Sequence, residues 1–157
     1  MNVEVCRLER SEIFRSISWD SRLELWDSIA YRKRVEDNLD RFTGSERAIQ
    51  LASIETGEFF KSTIVGISFA VDFCHRTRPI DMLLTLMDRS SLKRIELFYR
   101  GVEQFSVSGL ENMLVDAEIL GFELVKIDNL IRHAFVFIEE EHALVIARSV
   151  SLSITTL

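Results

Sequence analysis

The sequence contains five side chains that could ligate a transition metal or form a nucleophile–base pair. They are Cys6, Cys74, His75, His133 and His142. A structural zinc site needs four such ligands, usually in close pairs, and a catalytic cysteine needs a positioned base and an orienting third group. Cys74 and His75 are adjacent, so on a strand they would point to opposite faces. His133 and His142 flank a predicted hairpin and could approach each other. Two ligands without a third predict no metal site, and we expect no cofactor.

Acidic side chains are the second chemically capable group, and their surplus lies in the last third of the chain. The formal net charge is −6. Residues 101–157 hold three basic and nine acidic side chains, which accounts for the whole surplus. The run Glu139-Glu140-Glu141 falls where a turn is expected, and neighbouring segments add Asp116, Glu118, Glu123 and Asp128. A solvated turn explains such a run. The functional alternative is an acidic surface that docks a basic protein partner.

The basic residues and the motif content point away from nucleic-acid binding and catalysis. An acidic surplus disfavours a nucleic-acid binder, whose phosphate contacts need excess Lys and Arg. The cluster Arg32–Arg34 is interpreted as a mixed-charge outer face of the helix. The basic turn His75–Arg78 could hold a phosphate, but it lacks a glycine-rich backbone or a helix N-terminus beside it, so a solvated turn is the favoured interpretation. Arg148, on an otherwise apolar strand face, either snorkels at a sheet edge, pairs with a buried acid or lines a contact surface. The sequence contains no nucleophile elbow, P-loop or dinucleotide-binding glycine motif, so we expect a protein that is not an enzyme.

The N-terminal third has apolar residues at helical spacing. Spacings of three and four residues between Asp20 and Phe42 predict a long helix with Asp20 as its N-cap. Gly44 is expected to end it, and Ser45 to cap a second helix that runs to about Glu55.

From about Phe59 the apolar period changes from 3.6 to 2, which predicts strands. Val65, Ile67 and Phe69 alternate with polar or small residues, and similar faces follow from Ile80, Ile95 and Leu144 onward. The alternation falters at Gly101 and Gly121, where bulges or bends are expected. His133–Ile138 is apolar on both faces, which suits a central strand. Together these patterns predict an α+β fold in which N-terminal helices pack on one face of an antiparallel, meander-like β-sheet.

Chain length and composition predict one domain over residues 1–157. Residues 1–57 form its mainly helical part and residues 58–157 its sheet. Glycine and proline are scarce, so no flexible linker divides it. The first residues carry charges where a secretory signal needs an apolar stretch. No uncharged apolar run approaches the roughly 20 residues of a bilayer span. We expect a cytoplasmic protein that does not interact with membranes.

One segment of the predicted sheet resembles a known family. Ile95–Val107, with Gly101-Val102 at its centre, is similar to the strand–Gly-Val–strand signature of small immunity proteins of bacterial polymorphic toxin systems. The likeness extends over roughly residues 58–156. Such families often carry a histidine and an acid after the phenylalanine that opens the sheet, whereas Lys61 and Ser62 follow Phe60 here. No functional residue is therefore transferred. The resemblance implies binding and blocking of a cognate toxin inside the producing cell.

Three functional hypotheses follow. The first is an immunity-type protein that neutralises a cognate toxin by direct binding. The acidic surplus indicates that this toxin domain would be basic. The second is a generic cytosolic β-sheet binding or self-associating domain, for which a homodimer through an exposed sheet edge would be the sign. The third is an enzyme with an unrecognised acidic or histidine site.

Overall fold

The chain folds as an α+β domain in which two helices precede a six-stranded antiparallel sheet. The computed structural model describes residues 18–20, 25–27, 29–51, 62–70, 80–107, 118–137 and 142–157. The first elements are β1 (Ser18–Asp20), β2 (Leu25–Asp27), α1 (Ile29–Asn38), a 3-10 turn (Leu39–Arg41) and α2 (Gly44–Leu51). The sheet strands are β3 (Thr63–Ala70), β4 (Ile80–Asp88), β5 (Lys93–Val107), β6 (Ile119–Ile127), β7 (Leu130–Phe137) and β8 (His142–Thr156). The predicted fold class is confirmed.

The long helix predicted from Asp20 is wrong in its first third. Residues 18–20 and 25–27 pair as antiparallel strands with Trp19 opposite Trp26, and α1 begins only at Ile29. The spacing of apolar residues here fits a helix, but aromatic residues favour strands and stabilise them through cross-strand pairs. Gly44 has a positive φ, 54°, but it is the first residue of α2, whereas α1 ends at Asn38 and the 3-10 turn ends at Arg41. The predictions that Gly44 ends the first helix and that Ser45 caps the second are therefore wrong. The second helix is described as far as Leu51, and the rest of its predicted span lies outside the described residues.

The sheet is built from two three-stranded meanders, and its order is β3-β4-β5-β8-β7-β6. Long pairing between β5 and β8 joins the two halves. The terminal strands also meet, because Thr63 bridges Glu118 and the Ile119 amide donates to the Ser62 carbonyl at 2.9 Å. The sheet is therefore curled, and one of its faces becomes an interior.

That interior holds the principal core, which receives side chains from all six strands. Met82 of β4, Tyr99 of β5 and Phe135 of β7 are fully buried in it, as is Ile49 of α2. A second cluster lies on the opposite face of β7 and β8, where Tyr31 and Val35 of α1 pack on Ala134, Val136 and Leu144. Helix α1 thus covers the outside of this half of the sheet, while α2 contributes to its interior.

Four irregularities set which side chains face the core, and one of them, between Val102 and Gln104 in the pairing of β5 with β8, was not predicted. The bulge predicted at Gly101 is confirmed by a register shift opposite Asp81 and by a φ of 63° at Gly101. The irregularity predicted at Gly121 is confirmed by an extra residue, Leu120, in the pairing with β7. A bulge between Ile64 and Gly66 was not predicted. It places Ile64 inside and leaves Val65 52% exposed, so the expectation that Val65 faces the core is wrong.

Strand β7 pairs on both sides and is buried on both faces, as its apolar sequence predicted. Within the described part of the chain, no helix has both the length and the apolar character needed to cross a bilayer.

Candidate binding surfaces

Glu123 does not belong to an exposed acidic surface, and its inclusion in the predicted docking site is wrong. Its side chain is fully buried on β6, where Oε1 accepts a hydrogen bond from Nη2 of Arg34 at 2.7 Å. A buried carboxylate must be paired to remain charged, and Arg34 of α1 supplies that pair. The role of Glu123 is therefore to hold α1 against β6.

The other described acids of the prediction lie at opposite ends of β6. Glu118 precedes the strand and Asp128 follows it, in the turn to β7. A strand of this length separates them by about 30 Å. Glu118 lies at the same end as Phe137 and His142, which flank the predicted hairpin tip. Asp116 and Glu139–Glu141 lie outside the described residues. Glu118 and Asp128 cannot share one compact contact patch.

One half of the sheet has an outer face that α1 does not cover. Strand register aligns the outward side chains of four strands in rows. One row contains Ser68, Leu83, Phe98 and Ser151, and the next contains Gly66, Thr85, Glu96 and Ser153. Met87, Arg94 and Thr155 continue the pattern. None of these residues is buried. We call this surface the open face.

The open face is rich in hydroxyl groups and moderately apolar. Leu83, Met87 and Phe98 are half-buried along its middle, whereas Ser151 and Ser153 at its edge are exposed. Its charges are largely self-compensated, since Arg94 pairs with Glu96 at 2.6 Å. Next to it, the Arg100 guanidinium lies 5.6 Å from the centre of the Phe98 ring, a cation–π contact. A surface with an apolar middle and a polar rim is typical of protein contact sites.

Both borders of the open face are strand edges. Residues 148–156 of β8 pair only with β5, and in the described residues β3 has no second partner beyond Thr63. Apolar side chains are exposed at these borders, with Phe69 43% and Ile154 39% accessible. Unpaired edges of this kind can accept a further strand from another chain.

A second surface is a groove between the helices and β6, which we call the basic groove. Its volume is about 380 Å³. Three cationic side chains line it, Arg34, Arg41 and Lys126. The apolar part of its wall consists of Val35, Phe42, Leu124 and Val125, and two amides, Asn38 and Gln50, complete it.

A closed hydrogen-bond network fixes the floor of the basic groove. The Tyr31 hydroxyl donates to Oε1 of Gln50 and accepts from the Leu124 amide at 3.0 Å. The Gln50 side-chain amide donates to the Leu124 carbonyl at 2.8 Å. Burial raises the pKa of Tyr31 well above its ordinary range, so the phenol stays protonated. One residue from each helix thus satisfies the outward backbone groups of Leu124.

His133 and Tyr99 form a buried pair in the principal core. The Tyr99 hydroxyl and Nδ1 of His133 are 2.7 Å apart, and both residues are fully buried. Burial lowers the pKa of His133 to about 3, so its imidazole is neutral at ordinary pH. The Phe135 ring lies 4.1 Å from the imidazole, centre to centre. His142 lies on the other face of the sheet, opposite Val136, so the expected approach of the two histidines is wrong.

Arg148 snorkels, as one reading of the sequence expected. Its aliphatic stem covers Gly101, where an added Cβ would lie 2.9 Å from Cδ of Arg148. Its charged end lies 3.7 Å from Glu103. In the described ranges, no three His, Cys, Asp or Glu side chains come together as a metal site would require.

The sequence contained a pattern that indicated the open face but none that indicated the basic groove. The alternation of Ser149, Ser151, Ser153 and Thr155 with apolar residues marked an exposed face of the last strand. Nothing linked Arg41 to Lys126, because their proximity depends on how the helices pack.

Comparison of the chain with models of protein families, with curated proteins and with solved structures found no match.

Proposed function

We propose that this protein is an immunity-type binding protein that neutralises a cognate bacterial toxin by direct contact in the cytoplasm. The observation that carries the proposal is the open face. It is a regular surface on four strands that neither of the two described helices covers, although the same side of β7 and β8 is covered by α1. The resemblance of Ile95–Val107 to immunity proteins supports the toxin as partner, and this segment supplies Phe98 at the centre of the face.

The dimensions of the open face suit a protein partner. Four strands spaced about 4.8 Å apart and rows about 7 Å apart along the strands cover roughly 400–500 Å². A stable interface takes about 800 Å² from each partner. The adjoining strand edges would have to supply the remainder, and the exposed Val65 of β3 is suited to this.

The experiment is protection of growing cells. The chain is co-expressed with the C-terminal domain of the protein that the neighbouring upstream gene encodes, which the proposal takes as the toxin. Wild type is compared with Thr85→Arg and Ser151→Arg, which place a long cation on the open face. Thr43→Arg is the matched control, because Thr43 is an exposed hydroxyl residue on the turn between the helices.

Wild type and Thr43→Arg are expected to restore growth, and the two open-face variants to lose protection. Absence of protection by the wild-type chain would contradict the immunity role. Protection by Thr85→Arg and Ser151→Arg equal to wild type would remove the open face from the contact.

Self-association is the second candidate function, and the unpaired half of β8 favours it. Two copies of residues 148–156 could pair antiparallel about a two-fold axis, extending the sheet across both chains. Light scattering coupled to size-exclusion chromatography distinguishes this arrangement. A monomer at high micromolar concentration would exclude it, and a dimer abolished by Ser153→Pro would support it.

A further inference from the structure

The basic groove has the size and shape of a small-molecule site. Its volume of about 380 Å³ lies at the lower end of the roughly 300–1,000 Å³ of ligand pockets. It is formed by α1, the 3-10 turn, α2 and β6, and none of its residues belongs to the open face. The network of Tyr31, Gln50 and Leu124 holds its floor in place.

The electrostatics of the groove favour a singly charged anion. Arg34 is paired with Glu123, and Nζ of Lys126 lies 3.3 Å from Oε2 of Glu46. Arg41 is exposed and makes no ion pair with any residue in the described ranges. Three cations therefore face two carboxylates, which leaves one positive charge uncompensated at Arg41.

The remaining wall favours a ligand with an apolar body. Phe42 and Val35 lie on the helical side, and Leu124 and Val125 lie on the strand side. A purely polar anion such as inorganic phosphate would leave these side chains in contact with water. A carboxylate attached to a ring or a branched alkyl group would cover them and gain from burial.

We propose that the basic groove binds a small organic carboxylate whose apolar body lies between Phe42 and Leu124 and whose carboxylate is held by Arg41. A guanidinium can donate two parallel hydrogen bonds to a carboxylate, which gives both affinity and orientation. Lys126 lies on the same wall and adds attraction for the anion. This site is independent of the toxin contact, because the two surfaces share no residue.

The test is an amide-resolved NMR titration of the full chain with three probes. The probes are naphthoate, its neutral counterpart naphthylmethanol, and acetate. Naphthoate is expected to saturate with shifts centred on Leu124–Lys126 and Asn38–Phe42. Naphthylmethanol and acetate should bind at least roughly tenfold more weakly than naphthoate, since each lacks one of the two recognised groups.

Variants assign the binding to the groove. Arg41→Gln should weaken naphthoate binding roughly fivefold to tenfold. Arg32→Gln is the matched control, because Arg32 is exposed on α1 and does not line the groove. Phe42→Ser tests the apolar wall, and thermal melts report whether each variant is folded.

Several results would overturn the proposal. They are absence of saturable naphthoate binding to wild type, equal affinity for naphthoate and naphthylmethanol, and wild-type affinity in Arg41→Gln. An equal loss in Arg32→Gln would also overturn it, because the attraction would then come from net charge and not from the groove.

Discussion

At the scale of single residues, His133 illustrates how environment decides the role of a side chain. By type it is a candidate metal ligand or base. In the fold it is a neutral, fully buried ring between Phe122 and Phe135 that is hydrogen-bonded to Tyr99. The same burial that places it in the core makes its protonation costly.

The first prediction concerns the pH dependence of stability. Folding lowers the pKa of His133 from 6.5 to about 3, so below pH 6.5 the unfolded chain binds a proton that the folded chain does not. The contribution of His133 to the free energy of unfolding is fully present above pH 6.5 and is lost progressively as the pH decreases toward 3. The slope is at most about 1.4 kcal/mol per pH unit. Urea unfolding at pH 7.5 and pH 4.5 measures it.

The control is the double variant Tyr99→Phe/His133→Phe, which removes both partners of the buried hydrogen bond. Between pH 7.5 and pH 4.5 the free energy of unfolding of the double variant should fall by about 2–3 kcal/mol less than that of the wild type. An identical pH dependence in the wild type and the double variant would show that His133 does not titrate as its burial requires.

At the scale of elements, the docking of α1 depends on one ion pair beside the second hydrophobic cluster. Arg34 connects the helix to Glu123 of β6, while Tyr31 and Val35 pack on β7 and β8. Arg34 is 36% exposed and Glu123 fully buried, so solvent screens only one partner. Removing Arg34 alone takes the positive charge away from a buried carboxylate, whereas removing both charges leaves no buried charge to compensate.

The second prediction follows from that asymmetry. Arg34→Met should lower the free energy of unfolding by about 2–4 kcal/mol, and Arg34→Met/Glu123→Leu should recover most of the loss. Denaturant unfolding at neutral pH measures both. Lys33→Met on the exposed side of the same helix serves as control. If the double variant is as unstable as Arg34→Met, Glu123 is not the group that Arg34 neutralises.

The local spacing of apolar residues and glycines was sufficient to predict several strand faces and bulges. Period-two alternation identified the inner faces of β4 and β5, and the two glycines marked the bulges. The turn after Asp88 is held locally as well, because its carboxylate accepts hydrogen bonds from Ser90 and Ser91.

Contacts between segments that are far apart in the sequence could not be predicted from local spacing. In the sequence Glu123 is indistinguishable from a surface acid, because its partner Arg34 lies on α1, far away along the chain. The Trp19–Trp26 strand pair has helical spacing in the sequence. The pairing of β5 with β8 joins segments of the chain about 50 residues apart, for which no local periodicity encodes a partner.

At the scale of the whole molecule, the acidic surplus and the open face are separate features. Of the described acids of the last third, Glu123 forms a buried ion pair, Glu118 and Asp128 lie at opposite ends of β6, and Glu103 lies beside Arg148. If the run Glu139–Glu141 steers a basic partner, it acts on the rate of encounter more than on the contact itself.

The third prediction tests that division. Replacing Glu139, Glu140 and Glu141 together by lysine should leave the melting temperature unchanged and slow association with a basic toxin. The difference from wild type should shrink as salt rises, because screening weakens exposed charge interactions. Association rates against ionic strength, by surface plasmon resonance, measure it. Unchanged rates at low salt would assign the acidic surplus to solubility alone.

The central claim is that the open face is the surface that binds the toxin. The most direct measurement is isothermal titration of the purified toxin domain into wild type, Ser151→Arg and Thr43→Arg. We expect one-to-one binding by wild type and Thr43→Arg with the same dissociation constant. Ser151→Arg should bind at least roughly thirtyfold more weakly, a loss of about 2 kcal/mol. Equal affinity of Ser151→Arg and wild type, with all three proteins folded, would contradict the claim.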